Sequence, residues 1–256
     1  MKKLYEKSEL TFAIVCIVIY SILQSLANPL NKVIGIESSA NAFFNIMLTI
    51  ILFFFIKKHK LFEKYGLCKT SVPARRFLWY LPLFLLASHN LWNGVTVNFP
   101  LADTVCYICY MLCVGFVEEV LFRGFLFKAI AKDNTKTAII ISSITFGLGH
   151  LLHLVNGSGM EFVANLCQVV GAIAVGFLFV TIYYRGGSLL PCIITHSAID
   201  AVSAFANEAG LDGERRILFS MSRLIIVVVY TLVLTKALPK KQYSDSDKSR
   251  VNDKTK

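Results

Sequence analysis

Two adjacent acids and one base lie within the otherwise apolar stretch 114–127, as Glu118, Glu119 and Arg123. A charge at the centre of a membrane helix costs ~2.5–3.5 kcal/mol, so charges rarely occur there without a role. Residues four apart share one face of an α-helix, which predicts that Glu119 and Arg123 pair. Glu118 points about 100° away from Glu119. It therefore needs a partner from another helix.

Histidines and a further acid occur in two later apolar stretches. His150 and His153 lie three apart in the first, and His196 precedes Asp200 by four residues in the second. His196 and Asp200 share a helix face and can touch. We expect His150 to be functional because it accompanies an intramembrane acid, whereas His153 lies nearer the far surface and is the weaker candidate. Gly147 and Gly149, which shortly precede His150, should allow close approach of a neighbouring helix.

The composition indicates the elements that position these residues. The 256 residues are 55% hydrophobic and 16% charged, and the mean hydropathy is +0.62. This is too apolar for a soluble domain and typical of a polytopic membrane protein. The sequence predicts an all-α membrane helical bundle with about eight transmembrane helices. The predicted spans are 10–27, 41–56, 77–95, 101–127, 137–155, 162–184, 189–205 and 217–238.

Four regions follow from these spans. The first is an N-terminal two-helix region with a basic cytoplasmic loop, and the second contains the catalytic core helices. The third is the final membrane helix, and the fourth is a polar tail that we expect to be disordered. Their bounds are 1–76, 77–206, 207–238 and 239–256.

The net charge of +10 does not predict nucleic-acid binding, because the basic residues cluster in a few loops and the tail. These are the N-terminus, the 57–76 and 128–136 loops, Arg185 and the C-terminal tail. The 96–100 and 156–160 loops have no Lys or Arg. This alternation predicts a multi-pass protein of the cell membrane with both termini cytoplasmic.

The depth of the polar side chains along their helices gives an independent test. At 1.5 Å per residue, Glu118 lies ~15 Å from the cytoplasmic end of its helix and His150 ~20 Å. Measured in the same way from the start of their common helix, His196 lies at ~12 Å and Asp200 at ~18 Å. All four can meet in one layer. An acid and two histidines there can position a water molecule, deprotonate it and stabilise an oxyanion.

Two features of the sequence allow a second interpretation. The first apolar run could be a cleaved signal peptide, since residues 25–27 resemble a cleavage site, but its length favours an uncleaved helix. Cys106, Cys109 and Cys113 fall on one helical face. We expect them to pack as small apolar residues rather than bind a metal or react with oxidants.

The motifs Glu118-Glu119-x-x-x-Arg123, Phe146-x-x-x-His150 and His196-x-x-x-Asp200 follow one another on successive predicted membrane helices. In this order they resemble the CPBP family of intramembrane glutamic endopeptidases. That family is related to Rce1-type CAAX prenyl proteases and to the bacteriocin-immunity proteins of the Abi family. The resemblance covers about residues 75–205. It implies peptide-bond hydrolysis without a metal or other cofactor.

The resemblance also implies a role for each matching residue. Glu118 would be the general base that activates water, and His150 would help to hold that water. His196 and the residue at position 200 would form the oxyanion site. The supporting residues would be Glu119, Arg123 and Phe146. The family most often has Asn where this chain has Asp200, and an ionised Asp cannot donate a hydrogen bond, so the oxyanion donor stays open.

Two other functions remain open at this point. Glu118, His150 and His196 offer a ligand set for a zinc hydrolase, although the HExxH arrangement is absent. A non-catalytic immunity or scaffold protein would use the same motifs only for packing. For the protease, the expected partners are a peptide or protein substrate and membrane lipid, and not nucleic acid. The sequence leaves open whether that substrate is membrane-associated or lipidated.

Overall fold

The computed structural model describes residues 1–152, 162–211 and 213–239. Within these ranges the chain is helical and forms no β-strand, which confirms the predicted all-α bundle. His153, the 156–160 loop and residues 240–256 of the predicted disordered tail lie outside the described residues.

Ten α-helices make up this part of the chain. They are α1 (Lys2–Lys7), α2 (Glu9–Ile34), α3 (Ser39–Lys58), α4 (Leu81–Ser88), α5 (Leu101–Glu118), α6 (Phe127–Ala131), α7 (Thr135–Gly149), α8 (Phe162–Gly186), α9 (Leu190–Val202) and α10 (Gly213–Ala237). A π-helix, Glu119–Leu126, joins α5 to α6. Short 3-10 helices lie at Ala74–Tyr80, His89–Leu91 and Ser203–Phe205.

Five helical stretches of the described chain are long and apolar enough to cross a membrane. They are Glu9–Ile34, Ser39–Lys58, Leu101–Ala131, Ala164–Gly186 and Gly213–Ala237. Thr135–Gly149 and Leu190–Phe205 are shorter apolar helices. Large apolar side chains such as Ile14, Phe54 and Ile225 are exposed on the outside of the bundle. This distribution suits surfaces that face lipid rather than water.

Local sequence sets several helix ends. The Ser8 hydroxyl caps α2 by accepting a hydrogen bond from the Thr11 N–H at 3.1 Å, and Gly35 ends that helix with a φ of 78°. The Asn134 side chain caps α7 by accepting from the Thr137 N–H at 3.1 Å. Each cap satisfies a backbone N–H that the helix itself leaves unpaired.

Loop contacts define one basic face of the bundle. Glu9, at the start of α2, pairs with Lys64 at 2.6 Å and with Lys132 at 2.8 Å. The start of α2, the loop after α3 and the loop after α6 therefore lie side by side. We call this surface the basic face.

The end of α10 lies on the same basic face. The Ser71 N–H, in the loop that contains Lys64, donates to the Gly186 carbonyl at 3.2 Å. The neighbouring Arg185 donates to the Thr235 carbonyl at 2.6 Å. The start of α2 and the end of α10 thus share one side of the bundle.

The opposite face is defined by a second set of contacts. The Thr96 N–H donates to the Phe205 carbonyl at 3.0 Å, and the Glu37 N–H donates to Asp103 at 2.6 Å. Within residues 1–152, 162–211 and 213–239, eight segments run between the two faces. Seven are made by the apolar helices named above, and the eighth is the segment 77–95.

The segment 77–95 is not the continuous helix that its hydropathy predicts. Its only α-helix is α4, with 3-10 turns on both sides. Leu78, Trp79 and Tyr80 have φ values of 51°, 49° and 60°, a region that costs L-residues about 1–2 kcal/mol each. Pro82 lies in the first turn of α4, where its missing N–H costs no helical hydrogen bond, whereas inside a continuous helix it would remove one. The chain therefore turns before α4 begins.

Side-chain amides compensate for the interrupted helix beyond α4. Asn90 donates to the Ile199 carbonyl at 2.9 Å, and Asn93 donates to the Asn207 carbonyl at 2.7 Å. Irregular backbone is tolerated at membrane depth only where protein surrounds it. The polar residues of this segment therefore fasten it to α9 and to the chain that follows α9.

Two glycines permit the closest helix contacts around the core. A Cβ at Gly115 would come within 2.5 Å of the Ser197 backbone nitrogen, so α5 and α9 touch there. A Cβ at Gly147 would lie 2.8 Å from the Ile173 backbone nitrogen, which confirms the expected close approach to α7. The same expectation for Gly149 is wrong, because nothing lies within 4 Å of a Cβ there.

Candidate active site

The acid pair lies where α5 gives way to the π-helix. Glu118 is the last residue of α5 and Glu119 is the first of the π-helix, all eight residues of which are buried. The predicted pair is present, with Arg123 donating to Glu119 at 2.9 Å, and both side chains are fully buried. A π-helix inside an α-helical stretch is rare and frequently marks a functional site.

Glu119 does more than neutralise Arg123. Its Oε1 atom also accepts a hydrogen bond from His196 Nδ1 at 2.9 Å. The Arg123 guanidinium in turn lies over the Phe146 ring, 3.9 Å from its centroid. The spacing of Glu119 and Arg123 predicted only a pair within one helix. Glu119 therefore has a second role, because it also orients His196 of α9.

Glu118 receives its closest contact from the first membrane helix. The Tyr20 hydroxyl donates to Glu118 Oε1 at 2.6 Å, and Gln24 donates to the Tyr20 oxygen at 3.0 Å. The other carboxylate oxygen, Oε2, lies 3.7 Å from His196 Nε2. The expectation that Glu118 finds its partner on another helix is correct. The sequence analysis did not identify Tyr20 as that partner.

A signal for Tyr20 was nevertheless present in the sequence. Tyr20 and Gln24 are four residues apart, so these polar side chains share one face of a largely apolar helix. Tyr20 lies eleven residues after Glu9, about 17 Å along α2. The same measure places Glu118 about 20 Å from the end of α6 at Ala131. Their similar depth below the basic face could have suggested the contact.

His196 lies among three carboxylates. Nδ1 contacts Glu119, whereas Nε2 lies 3.3 Å from Asp200 Oδ2 and 3.7 Å from Glu118 Oε2. A neutral imidazole has one N–H, so donation from both nitrogens requires the imidazolium form. Carboxylate oxygens therefore face both ring nitrogens of His196, and one of these carboxylates, Glu119, also pairs with Arg123.

His150 follows the last residue of α7. Its Nδ1 atom lies 3.3 Å from the Phe146 carbonyl, and Asn165 donates to the His150 carbonyl at 3.1 Å. The Phe146 ring makes edge contacts with both histidines, with centroids 5.4 Å from His150 and 5.6 Å from His196. The seven predicted site residues therefore form one contiguous cluster.

Metal ligation can be tested on the donor set. Across the described ranges, no three His, Cys, Asp or Glu side chains form a group that could hold a metal ion. In particular, both ring nitrogens of His196 face carboxylate oxygens. The seven cysteines are free thiols, and the packing role of Cys106, Cys109 and Cys113 stays a prediction.

A cavity of about 860 Å³ lies next to α9 but outside this cluster. Residues two apart on a helix point about 200° apart, so Ile194 and Ala198, which line the cavity, face away from His196. Most of the lining is apolar, as with Tyr80, Phe84 and Pro191. The cavity faces the opposite side of α9 from the polar cluster.

A known protein family is similar to the part of the chain that carries the predicted site residues. Residues 100–202 match the family described as "Type II CAAX prenyl endopeptidase Rce1-like". We call this matched stretch the Rce1-like domain, after the family that it resembles. The family match agrees with the resemblance carried by the three motifs. No curated protein matches the chain, and no solved structure does.

The Rce1-like domain begins one residue before α5 and ends with α9. It contains all seven predicted site residues, and its family supports a membrane endopeptidase. It does not include α2, which provides Tyr20, or α10. The described contacts therefore add at least one helix from outside the domain to the polar cluster.

Proposed function

We propose that the chain is an intramembrane endopeptidase in which Glu118 activates water without a metal ion. The observation that carries this proposal is the contact set of Glu118, with Tyr20 on one oxygen and His196 facing the other. It lies at the centre of an apolar bundle and inside an Rce1-like domain.

The two oxygens of Glu118 suit different tasks. Oε1 is held by Tyr20, which fixes the orientation of the carboxylate. Oε2 lies 3.7 Å from His196 Nε2, beyond hydrogen-bond distance. Oε2 therefore keeps its capacity to accept a proton from water. His150, on the neighbouring helix, is the second group that would hold that water.

The reaction is a general-base hydrolysis. As the water oxygen attacks the scissile carbonyl carbon, Glu118 accepts a proton and negative charge develops on the carbonyl oxygen. The proton then passes to the leaving amide nitrogen as the C–N bond breaks, which regenerates the carboxylate. Proton transfer of this kind contributes about 10²–10⁴-fold in rate.

His196 is the donor to the developing oxyanion in this scheme. Glu119 fixes its ring through Nδ1, and the contacts of Nε2 with Asp200 and Glu118 are long, at 3.3 and 3.7 Å. Catalytic hydrogen bonds are often long without substrate and tighten in the reacting complex. The oxyanion can then take the place of these long contacts as the acceptor for Nε2–H, and a charged donor forms a strong hydrogen bond there.

The substrate class follows from the family. CAAX denotes a C-terminal sequence whose cysteine is prenylated. We propose a peptide or protein with such a C-terminus, presented at the membrane, as the substrate. The basic face, which gathers Lys64, Lys132 and Arg185, would lie in the cytoplasm by the positive-inside rule.

The deciding experiment compares membrane peptides cleaved by wild type with those cleaved by Glu118→Gln, which keeps the shape of the side chain but cannot accept the water's proton. We expect cleavage to disappear while the protein stays folded. Glu63→Gln, in the loop of the basic face, is the matched control and should behave as wild type. A chelator should leave cleavage unchanged. Wild-type turnover in Glu118→Gln would refute the mechanism. Loss of cleavage on chelator treatment, with recovery when zinc is added, would refute it as well.

A further inference from the structure

A second cation lies within the membrane part of the bundle, on a helix outside the Rce1-like domain. Arg223 is ten residues after Gly213, about 15 Å along α10. Charged residues at such depth are expensive, and most face the bundle interior and have a function. None of the three motifs includes this residue.

The Arg223 guanidinium lies against α8 at Gly171. A Cβ at Gly171 would come within 2.9 Å of the Arg223 guanidinium nitrogen NH2. The glycine therefore leaves room for the planar group. The side chain is half-buried, and the preceding residue, Ser222, shares a hydrogen bond with His89 Nε2 at 3.0 Å. The guanidinium therefore lies against α8, and the neighbouring Ser222 attaches α10 to the interrupted segment that contains His89.

Arg223 lies within electrostatic range of two members of the predicted site, Asp200 and His150. Among the described residues, however, no Asp or Glu side chain forms an ion pair with Arg223. The guanidinium is thus a cation beside the site whose hydrogen-bonding fork is available to an anion.

We propose that Arg223 binds a carboxylate of the substrate, and that this carboxylate is the C-terminal one. The inference rests on the proposed protease function. A guanidinium binds a carboxylate through two parallel hydrogen bonds, which fix its position as well as its charge. A CAAX-type substrate carries a free carboxylate close to its modified cysteine. Binding there would anchor the end of the peptide beside the predicted site and leave its scissile bond, which lies nearer the modified cysteine, towards Glu118.

An acidic side chain near the end of the peptide is the other source of such a carboxylate. Three peptides of otherwise identical sequence separate the two sources. The first has a free C-terminus, the second has a C-terminal amide, and the third has the amide together with a Glu as its last residue. Binding of the terminal carboxylate predicts that only the first is preferred.

The test measures kcat/KM of purified wild type, Arg223→Gln and Arg223→Lys on these peptides. A hydrogen bond to a charged group contributes about 10- to 100-fold. We expect wild type to prefer the free acid over the amide by that factor, mainly through KM. In Arg223→Gln the ratio should fall to about one, and Arg223→Lys should keep part of it, since Lys retains the charge without the fork.

Arg216→Gln is the matched control, because Arg216 lies on the same helix but pairs with Glu208 at the surface. It should keep the wild-type ratio. An equal loss on acid and amide in Arg223→Gln would assign Arg223 to structure and overturn the proposal. Preference for the third peptide over the second, lost in Arg223→Gln, would assign the subsite to acidic side chains instead of the terminal carboxylate.

Measured affinities for the free acid and the amide give the same comparison without any cleavage. In the Glu118→Gln background, the affinity ratio of free acid to amide should again fall to about one when Arg223→Gln is added. An unchanged ratio would overturn the proposal. Since this measurement needs no cleavage, failure of the carboxylate subsite and failure of the protease function are distinguished.

Discussion

The Tyr20 hydroxyl lies 2.6 Å from Glu118 Oε1, and it belongs to a helix that precedes the Rce1-like domain. Glu118 can therefore use the first membrane helix to hold its carboxylate, while α9 faces the other oxygen. In this arrangement α2 positions the general base as well as crossing the membrane.

Tyr20→Phe should lower kcat by about 10- to 100-fold and leave KM unchanged, because one hydrogen bond to a charged group is worth about 1.5–3 kcal/mol. The effect would arise from a carboxylate that is less well oriented. Steady-state kinetics with the folded yield of each variant measure it. Tyr107→Phe, which removes a contact with Ser203 at 2.7 Å, is the control and should keep the wild-type kcat. Equal effects of the two changes would argue for a general packing role.

Arg123→Ala should reduce the amount of folded protein before any effect on chemistry appears. It leaves Glu119 fully buried without its cation, and breaking a buried pair costs about 3–5 kcal/mol. It also removes the contact with the Phe146 ring. Thermal unfolding in detergent measures the loss. Glu118→Gln, which leaves the Glu119–Arg123 pair in place, should unfold close to wild type, and the reverse order of stability would contradict these assignments.

Local spacing predicted the parts of the site that lie on one helix. The separations of Glu119 from Arg123 and of His196 from Asp200 gave both contacts, and depth along each helix placed the residues in one layer. The sequence does not state how far each helix is rotated about its own axis. The Glu119–His196 and Tyr20–Glu118 contacts depend on that rotation, so neither was predicted.

The fold, like the site, was predicted only in part from the sequence. Hydropathy found eight crossings because each needs an apolar stretch of about membrane length. It could not show that the crossing at 77–95 is interrupted, since side-chain hydrogen bonds from Asn90 and Asn93 compensate the broken helix. Nor could it predict the π-helix that follows Glu118, because an α-helix has the same apolar composition.

Gly115→Ala should destabilise the protein and lower activity, since the added methyl group would meet the Ser197 backbone. Overpacking of this kind costs about 1–3 kcal/mol, and it would move α9, which carries His196, away from α5. Gly149→Ala is the matched control, because nothing lies within 4 Å of a Cβ there. It should unfold at or slightly above the wild-type temperature. Equal unfolding temperatures for the two variants would show that α5 and α9 are not in close contact.

Reporter fusions should place the two faces of the bundle on opposite sides of the membrane. Fusions at Asp133 and after Pro239 should both report the cytoplasm, and a fusion at Gly210 should report the other side. The reason is the Lys and Arg content of the basic face. A fusion at Gly210 that reports the same side as Asp133 would contradict eight crossings.

The last prediction concerns Asp200, which lies 3.3 Å from His196 Nε2. If Asp200 acts by holding the His196 imidazolium, Asp200→Ala should cost about 10²–10³ in kcat, the scale of one lost oxyanion-hole element. Asp200→Asn should stay active, because its amide oxygen can accept the same hydrogen bond. Added to His196→Ala, the Asp200→Ala change should cost little more, since residues that act as one unit are not additive. Direct donation by a protonated Asp200 predicts instead that the two losses multiply, and wild-type activity in Asp200→Ala would remove this residue from the mechanism.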